Sequence, residues 1–222
     1  DHPRKYIDSN INGFFNILEK VRSKKKKNFF YASSSSVYGN SRLFPLKEKN
    51  HLYPTNTYSL TKKFNEDLSS IYSKFYNIKS IGLRFFTVYG EWGRPDMFYS
   101  KVLDAAFKKK KLYVNNYGNH SRDFTYIKDV NLILYNLLKS KNFNGNEVLN
   151  ICSNKPLNIV KLIQSVEKES SKIKVYKRKM QKADVLKTHG DNQKIKKYKL
   201  IKNFTPFEIG IKNTLDWYKK YN

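Results

Sequence analysis

The sequence predicts an α/β fold built around a parallel sheet. Short apolar runs, each closed by small or polar residues, alternate along the chain with longer segments of helical periodicity. The clearest strand, 28–34, is an apolar run that ends in a cluster of serines. Because open α/β sheets bind ligands at the carboxyl ends of their strands, we expect a binding site beside these serines.

Each element is justified by its own local pattern. The first helix carries a one-sided apolar stripe made of Ile7, Ile11, Phe14, Phe15 and Leu18. Prolines and glycines predict loops at 40–56 and 87–95. The predicted helices are 4–22, 57–76, 98–110, a segment after 129 that ends near 139, 158–170 and 207–221. The predicted strands are 28–34, 79–86, 112–115, 146–152 and 173–176. We expect 28–34 and 79–86 to be parallel neighbours in one sheet.

The composition is that of a folded domain. The chain has 222 residues, of which 39% are hydrophobic, and this is enough to bury a core. No apolar run approaches the ~20 residues of a membrane span, so we predict no membrane partner. The single cysteine, Cys152, cannot form an internal disulfide, which fits a reducing cytoplasm.

The net charge of +26 first suggests a nucleic-acid partner. Only seven of the 44 basic residues are arginines, and the rest are lysines spread along the chain. We therefore favour a solvated lysine-rich surface and predict no nucleic-acid partner. Binding of an acidic partner remains the alternative.

Tyr58 and Lys62 are the strongest candidates for chemistry. Residues four apart share one face of a helix, so a phenol and an ammonium point at the same place. A nearby ammonium favours the phenolate, which then serves as a base for an alcohol proton. The spacing alone is weak in a chain with 17 tyrosines, where a packing role is the usual one. The pair follows a strand that ends in a serine cluster, which supplies Ser34. This order of motifs strengthens the assignment of Tyr58 and Lys62 to a catalytic site.

Several stretches in this order resemble the extended short-chain dehydrogenase/reductase family, which includes nucleotide-sugar epimerases and dehydratases. They are YIDSNINGFFNILE (6–19), YASSSSVYG (31–39), YSLTKKFNE (58–66), GLRFFTVYGEWGRPDM (82–97), NYGNHSRDFTYIKD (116–129) and DVLKTHGD (184–191). The tail of the fourth stretch resembles the UDP-glucuronate 4-epimerase branch. The resemblance implies 4-epimerisation of a nucleotide-linked uronic acid through a 4-keto intermediate, with bound NAD. We predict no metal site.

The resemblance also implies an architecture: the carboxyl-side part of a Rossmann-like parallel sheet with a smaller α/β substrate-binding domain. Residues 1–95 would form a partial NAD-binding domain. Residues 96–222 would be mainly substrate-binding, with 124–152 returning to the Rossmann sheet. Members of this family often form homodimers through the helix that bears the tyrosine and its neighbour, so a homodimer is a candidate assembly.

The roles of individual residues follow from the same resemblance. Tyr58 would be the catalytic base, Lys62 its partner and a ligand of the nicotinamide ribose, and Ser34 a ligand of the sugar hydroxyl. The residues implied to line NAD are Ser9, Asn10, Ser33, Tyr58, Lys62 and Phe86. The residues implied to bind the substrate are Ser35, Thr87, Arg94 and Arg122, the last as a clamp on the diphosphate.

The chain also departs from the family pattern. Its nine glycines contain no glycine-rich phosphate loop, so we expect that an amino-terminal part is missing and that the chain alone binds NAD weakly. Ala183 and Cys152 stand where the family commonly has glycine. Ser35 and Ser36 replace the Asp-Glu pair of dehydratases, which disfavours dehydration. A decarboxylase, another nucleotide-sugar epimerase and an inactive binding protein remain alternatives.

Overall fold

The computed structural model describes residues 3–24, 28–140, 142–181 and 184–221. The helical segments are α1 (Pro3–Tyr6), a π-helical turn (Ile7–Asn12), α2 (Gly13–Arg22), α3 (Thr57–Tyr76), α4 (Phe98–Phe107), α5 (Ile127–Lys139), α6 (Ile159–Glu167), α7 (Gln193–Lys197) and α8 (Phe207–Tyr221). The strands are β1 (Asn28–Ser34), β2 (Lys79–Phe85), β3 (Thr87–Tyr89), β4 (Leu112–Val114), β5 (Ser121–Tyr126), β6 (Asn146–Ile151), β7 (Pro156–Asn158) and β8 (Val175–Lys177).

A parallel three-stranded sheet in the order β1-β2-β6 forms the base of the molecule. Strands β1 and β2 are parallel neighbours along their whole length, from Asn28 opposite Lys79 to Ser34 opposite Phe85. Strand β6 returns to the other side of β2. The predicted parallel pairing of 28–34 with 79–86 is confirmed, and so is the α/β fold class.

Helices cover both faces of this sheet, because successive side chains of a strand point to opposite sides. Tyr31 of β1 packs with Phe14 and Leu18 of α2, whereas Phe30 packs against the cluster that contains Ile133 of α5. The sheet is therefore buried on both sides, which explains why its strands are continuous apolar runs in the sequence.

A second group of elements packs around its own core. Two small sheets, β3-β5-β7 and β4-β8, share a hydrophobic core with helices α4, α6 and α8. Strand β3 follows β2 after one residue, so the chain passes directly from the base sheet into this second group. The division into two domains at residue 95 stays a prediction.

The first helix differs from its prediction. The segment predicted as one helix contains the π-helical turn Ile7–Asn12, and a π turn is wider than an α turn, which shifts the apolar stripe around the axis. Phe14 and Leu18 are buried, but Ile7 and Phe15 are 42% and 44% exposed. The predicted stripe therefore does not form one continuous buried face.

Cys152 fills a tight place just after β6. Its side chain is fully buried in a cluster with Val37, Tyr38 and Phe86. A Cβ placed on Gly190 would lie 2.5 Å from Cys152 Sγ and 2.6 Å from Phe86 Cζ. The cysteine thus occupies the space that a larger residue at position 190 would need.

Among the described residues, no helix combines the length and the apolar character that a membrane crossing requires.

Candidate active site

A cleft of about 720 Å³ lies at the carboxyl ends of β1 and β2, where the base sheet meets the second group of elements. Nine of the eleven residues predicted for the site line it: Ser33, Ser34, Ser35, Tyr58, Lys62, Phe86, Thr87, Arg94 and Arg122. We call residues 33–36 with Tyr58 and Lys62 the inner wall, and the loop 90–97 the outer wall.

Tyr58 and Lys62 enter the cleft from the first turns of α3. This helix begins where it does because Asn56 and Ser59 form a reciprocal capping box. Lys62 Nζ lies 5.9 Å from the centre of the Tyr58 ring and donates a hydrogen bond to the carbonyl oxygen of Ala32, 2.9 Å away. Burial lowers the pKa of Lys62. The predicted phenol–ammonium pair is therefore assembled against the end of β1.

Ser34 ends strand β1 and caps the short turn that follows it. Its Oγ accepts a hydrogen bond from the backbone N–H of Ser36 and donates to Ser36 Oγ, each at 3.1 Å. The side chain is 8% exposed. These bonds hold its hydroxyl at the rim of the cleft.

Beneath the inner wall lies a buried network of five polar residues: Ser33, Glu66, Arg84, Tyr38 and Asn150. Ser33 Oγ donates to Glu66 Oε1 at 2.5 Å, and Arg84 binds the same carboxylate through Nε at 2.9 Å and Nη2 at 2.7 Å. Arg84 Nη1 donates to the Tyr38 hydroxyl at 2.8 Å, which donates to Asn150 Oδ1 at 2.7 Å. This chain of bonds ties α3 to all three strands of the base sheet.

The charges of this network are shielded from water. The side chains of Arg84 and Glu66 are only 4% and 7% exposed. Although burial opposes it, the bonds with Glu66 raise the pKa of Arg84, so the guanidinium stays charged. Burial raises the pKa of Tyr38 to about 12, so its phenol stays protonated.

The outer wall is built from exposed side chains. The Arg94 guanidinium is 74% exposed, and its Nη2 lies 3.1 Å from Asp96 Oδ2. Trp92 is 77% exposed and has a left-handed backbone, with φ of 59°. At Gly93 a Cβ would lie 1.2 Å from the Tyr99 hydroxyl oxygen, so only glycine fits where the loop passes over α4.

Arg122 extends from β5 at the far end of the cleft. Its Nη1 donates to the carbonyl oxygens of Ser121 at 2.9 Å and Leu186 at 3.3 Å. Burial lowers its pKa, with Asp184 acting in the opposite direction, but the guanidinium remains charged at neutral pH. Asp184 and Thr188 line the same end of the cleft.

Comparison with known proteins decides the family. The sequence model of the NAD-dependent epimerase/dehydratase family matches residues 1–152 of the chain. The chain belongs to this family. Its members use NAD, and its relatives include nucleotide-sugar epimerases, which are isomerases.

Three proteins show how similar the chain is to its relatives in the NAD-dependent epimerase/dehydratase family. An uncharacterized protein of Methanocaldococcus jannaschii is 41% identical, over 98% of this chain and 67% of its own length. UDP-glucuronate 4-epimerase 4 of Arabidopsis thaliana is 34% identical, over 100% of this chain and 55% of its own. The structure of UDP-glucuronic acid 4-epimerase from Bacillus cereus with UDP-glucuronic acid and NAD has a TM-score of 0.91 at 28% identity. That match covers 97% of this chain and 69% of the other.

Two of the predicted cofactor residues of this epimerase/dehydratase chain do not reach the cleft. Ser9 is exposed on the π-helical turn, and the Asn10 amide donates to Thr61 Oγ1 on α3 at 3.0 Å. Asn10 thus fastens the first helix to the helix of Tyr58. The contacts of Ser9 and Asn10 with NAD stay predictions.

The cleft fits one end of the family's cofactor. Lys62 uses one of its three N–H donors on Ala32, which leaves two for ribose hydroxyls, and Phe85 and Phe86 offer an apolar wall for a flat ring. No glycine-rich turn at a helix amino terminus lines this cleft in the described part of the chain. The residues present therefore match the nicotinamide ribose but not the pyrophosphate. Ala183 lies outside the described residues.

The sequence pattern missed the buried network. Glu66 and Arg84 lie within two of the motifs that carry the family resemblance, but that resemblance assigns neither residue a role. One signal was available: Arg84 stands in the middle of the apolar run IGLRFF, and a charge inside a buried strand requires a partner.

Proposed function

We propose that this chain carries the catalytic and sugar-binding part of an epimerase that inverts C4 of a nucleotide-linked uronic acid, of the UDP-glucuronate to UDP-galacturonate type. One observation supports this most: Tyr58, Lys62 and Ser34 lie in a single cleft whose opposite wall carries the cation Arg94. A base for an alcohol and a cation for a carboxylate thus face the same space.

On this proposal, the Tyr58 phenolate takes the proton of the sugar 4-hydroxyl. The ammonium of Lys62 favours the phenolate by its charge, and Ser34 binds the same hydroxyl as it loses its proton. NAD, when bound, supplies hydride chemistry at C4. The phenol of Tyr58 gives the proton back after the 4-keto sugar has turned over in the cleft, and the configuration at C4 is inverted.

The substrate side of the proposal concerns the two ends of the nucleotide sugar. A 4-keto uronate is a β-keto acid and loses CO₂ readily when the bond to its carboxylate is aligned with the π system of the ketone. The site therefore has to hold the carboxylate away from that alignment. We assign this task to Arg94 with Thr87, and the diphosphate to Arg122, because guanidinium groups suit both anions.

We also propose that the protein is a homodimer. Helix α3 carries an exposed apolar stripe at spacings of four, seven and four residues, namely Leu60, Phe64, Ile71 and Phe75. A stripe of this period packs against another helix. Sedimentation of Ile71→Lys should show a monomer where the parent chain is a dimer. Leu138→Lys, on the exposed face of α5, is the matched control and should stay dimeric.

A cytoplasmic location completes the proposal, because the single cysteine leaves the chain without an internal disulfide.

The test of the proposed activity is turnover of UDP-glucuronate with NAD, followed by NMR of the products. It is run with this chain and with the same chain joined behind the amino-terminal segment of a relative. We expect UDP-galacturonate from the joined protein. A pentose product would assign a decarboxylase instead, and no turnover by the joined protein would refute the catalytic proposal.

A further inference from the structure

The outer wall depends on a residue in an unfavourable backbone conformation. Trp92 has φ of 59°, a region that bulky side chains avoid. Its side chain is 77% exposed, so burial does not hold it there. Polar contacts hold the neighbours of Trp92, since Glu91 accepts from Tyr126 and pairs with Lys128 and the Arg94 carbonyl accepts from Ser100. At Trp92 itself, the contacts that remain are those of its ring.

Those contacts come from the last helix. The Trp92 ring centre lies 5.2 Å from that of Trp217 and 5.5 Å from that of Tyr221, both on α8. Trp217 and Tyr221 also contact each other, at 6.1 Å. The three rings form a closed triangle, which we call the aromatic anchor.

The helix end of the aromatic anchor is firmly placed. Ile211, Leu215 and Tyr218 of α8 are buried in the core of the second group of elements. Trp217 Nε1 is buried and has no hydrogen-bond partner among the described residues, so ring packing is what orients this side chain. Helix α8 is therefore the fixed part of the aromatic anchor, and its two rings hold Trp92 of the loop.

The loop itself carries the candidate carboxylate ligand. Arg94 is two residues from Trp92, and its contacts with Asp96 and Met97 both use Nη2. Its Nε and Nη1 make no hydrogen bond to a described residue and remain able to bind an anion. Tyr99 of α4 donates a hydrogen bond to the Gly90 carbonyl oxygen, so α4 holds the loop at Gly90 and the aromatic anchor holds it at Trp92.

We infer that Trp217 and Tyr221 are positioning residues that hold the loop 90–97 through Trp92 and thereby set Arg94 for a carboxylate on the bound sugar. This rests on the proposed function for the identity of the ligand. The mechanical part, that α8 holds the loop, does not depend on any ligand.

Hydrogen exchange tests the mechanical part. Tyr221→Ala is chosen because Tyr221 is 54% exposed, so the chain should still fold, and Tyr135→Ala is the control with the same 54% exposure on another helix. We expect the backbone amides of residues 91–94, 96 and 97 to exchange on the order of tenfold faster in Tyr221→Ala, and at an unchanged rate in Tyr135→Ala. Unchanged exchange in Tyr221→Ala would overturn the inference.

Kinetics test the link to Arg94. In Tyr221→Ala and Trp217→Leu, KM for UDP-glucuronate should rise about tenfold with little change in kcat, and KM for UDP-glucose should stay the same. Trp217→Phe, which keeps a ring, should restore most of the affinity. If exchange in the loop becomes faster while the ratio of KM for UDP-glucuronate to KM for UDP-glucose stays the same, the assignment of Arg94 to the carboxylate is refuted. If the parent protein turns over neither sugar, the proposed function fails, and the exchange experiment still decides whether α8 holds the loop.

Discussion

Ser33 and Ser34 on the inner wall are 3% and 8% exposed, whereas Trp92 on the outer wall is 77% exposed. The inner wall rests on a buried ion pair and a chain of hydrogen bonds that joins α3 to three strands. The outer wall is an exposed loop held by hydrogen bonds at Gly90, Glu91 and Arg94 and by ring contacts at Trp92. On the proposed function, the chemistry would rest on the buried elements and recognition of the sugar on this exposed loop.

This division separates the candidate chemistry from recognition of the substrate. On the proposed function, replacing residues on the outer wall would change which group is bound and leave α3 in place. Replacing residues of the buried network would disturb α3, the helix that carries Tyr58.

The largest effect is expected at the inner wall from Tyr58→Phe. The change removes one hydroxyl and leaves the ring packing, so the protein should keep its fold and lose about 10²–10⁴-fold in turnover. Turnover is measured in the protein joined to a relative's amino-terminal segment. Tyr53→Phe, outside the cleft, is the control, and full activity of Tyr58→Phe would remove Tyr58 from the mechanism.

The next effect concerns stability and compares two neighbouring carboxylates on α3. Glu66 is paired with Arg84 in the buried network, whereas Asp67 is paired with Lys63 at the surface, with side chains 58% and 33% exposed. Glu66→Gln should lower the free energy of unfolding by about 3–5 kcal/mol, because it leaves Arg84 as a buried charge. Asp67→Asn should cost about 0–1 kcal/mol. Equal losses in urea unfolding would contradict the contrast.

A smaller effect, on binding alone, is expected at the outer wall. Arg94→Met removes an exposed cation, so the free energy of unfolding should change by less than about 0.5 kcal/mol. The affinity for UDP-glucuronate should fall about tenfold or more, because the carboxylate loses a charged hydrogen-bond partner. Calorimetry with UDP-glucose gives the control, since that sugar has no carboxylate. A large stability loss would show that the loop is as structural as the inner wall.

The smallest effect is a loss of stability in mild acid. Burial lowers the pKa of His120, with the charge of Arg122 adding to it, and burial also lowers the pKa of His189. The unfolded chain therefore takes up these protons first as the pH falls below about 6.5, and stability drops from there downward, by about 1.4 kcal/mol per unit of pKa difference. Above that pH both histidines are neutral in either state and contribute nothing.

His120→Gln should flatten this acid-side slope of the free energy of unfolding between pH 7 and 5, and the exposed His51→Gln should not. The buried network of the inner wall contains no histidine, so the loosening should begin near Arg122. An unchanged slope in His120→Gln would mean that another group causes any acid loss.

The residues of the inner wall could be predicted because they fall in recognisable motifs. Tyr58 and Lys62 share one helix face, but only the order of the motifs and the family resemblance joined them to Ser34. The parallel pairing of 28–34 with 79–86 followed from the alternation of strands and helices and from Ser34 and Thr87 at the strand ends. Such features depend on the order of elements along the chain.

Long-range features escaped prediction. Glu66, Arg84 and Asn150 lie on three different elements, and their contacts exist only once α3, β2 and β6 are assembled. The aromatic anchor joins residues 92 and 217, which no periodicity connects. Strands β3 and β7, three residues each, and the short helix α7 were missed because segments this short show no recognisable periodicity. Strand β5 was missed as well, because its first three residues are polar and break the pattern of an apolar run.

The packing around Gly190 links a buried cluster to the cleft. A Cβ at position 190 would meet both Cys152 Sγ and Phe86 Cζ, so relieving one of these contacts leaves the other. A larger residue at 190 therefore requires changes at both 152 and 86. Because Phe86 lines the cleft, crowding at 190 would be transmitted to the cleft wall.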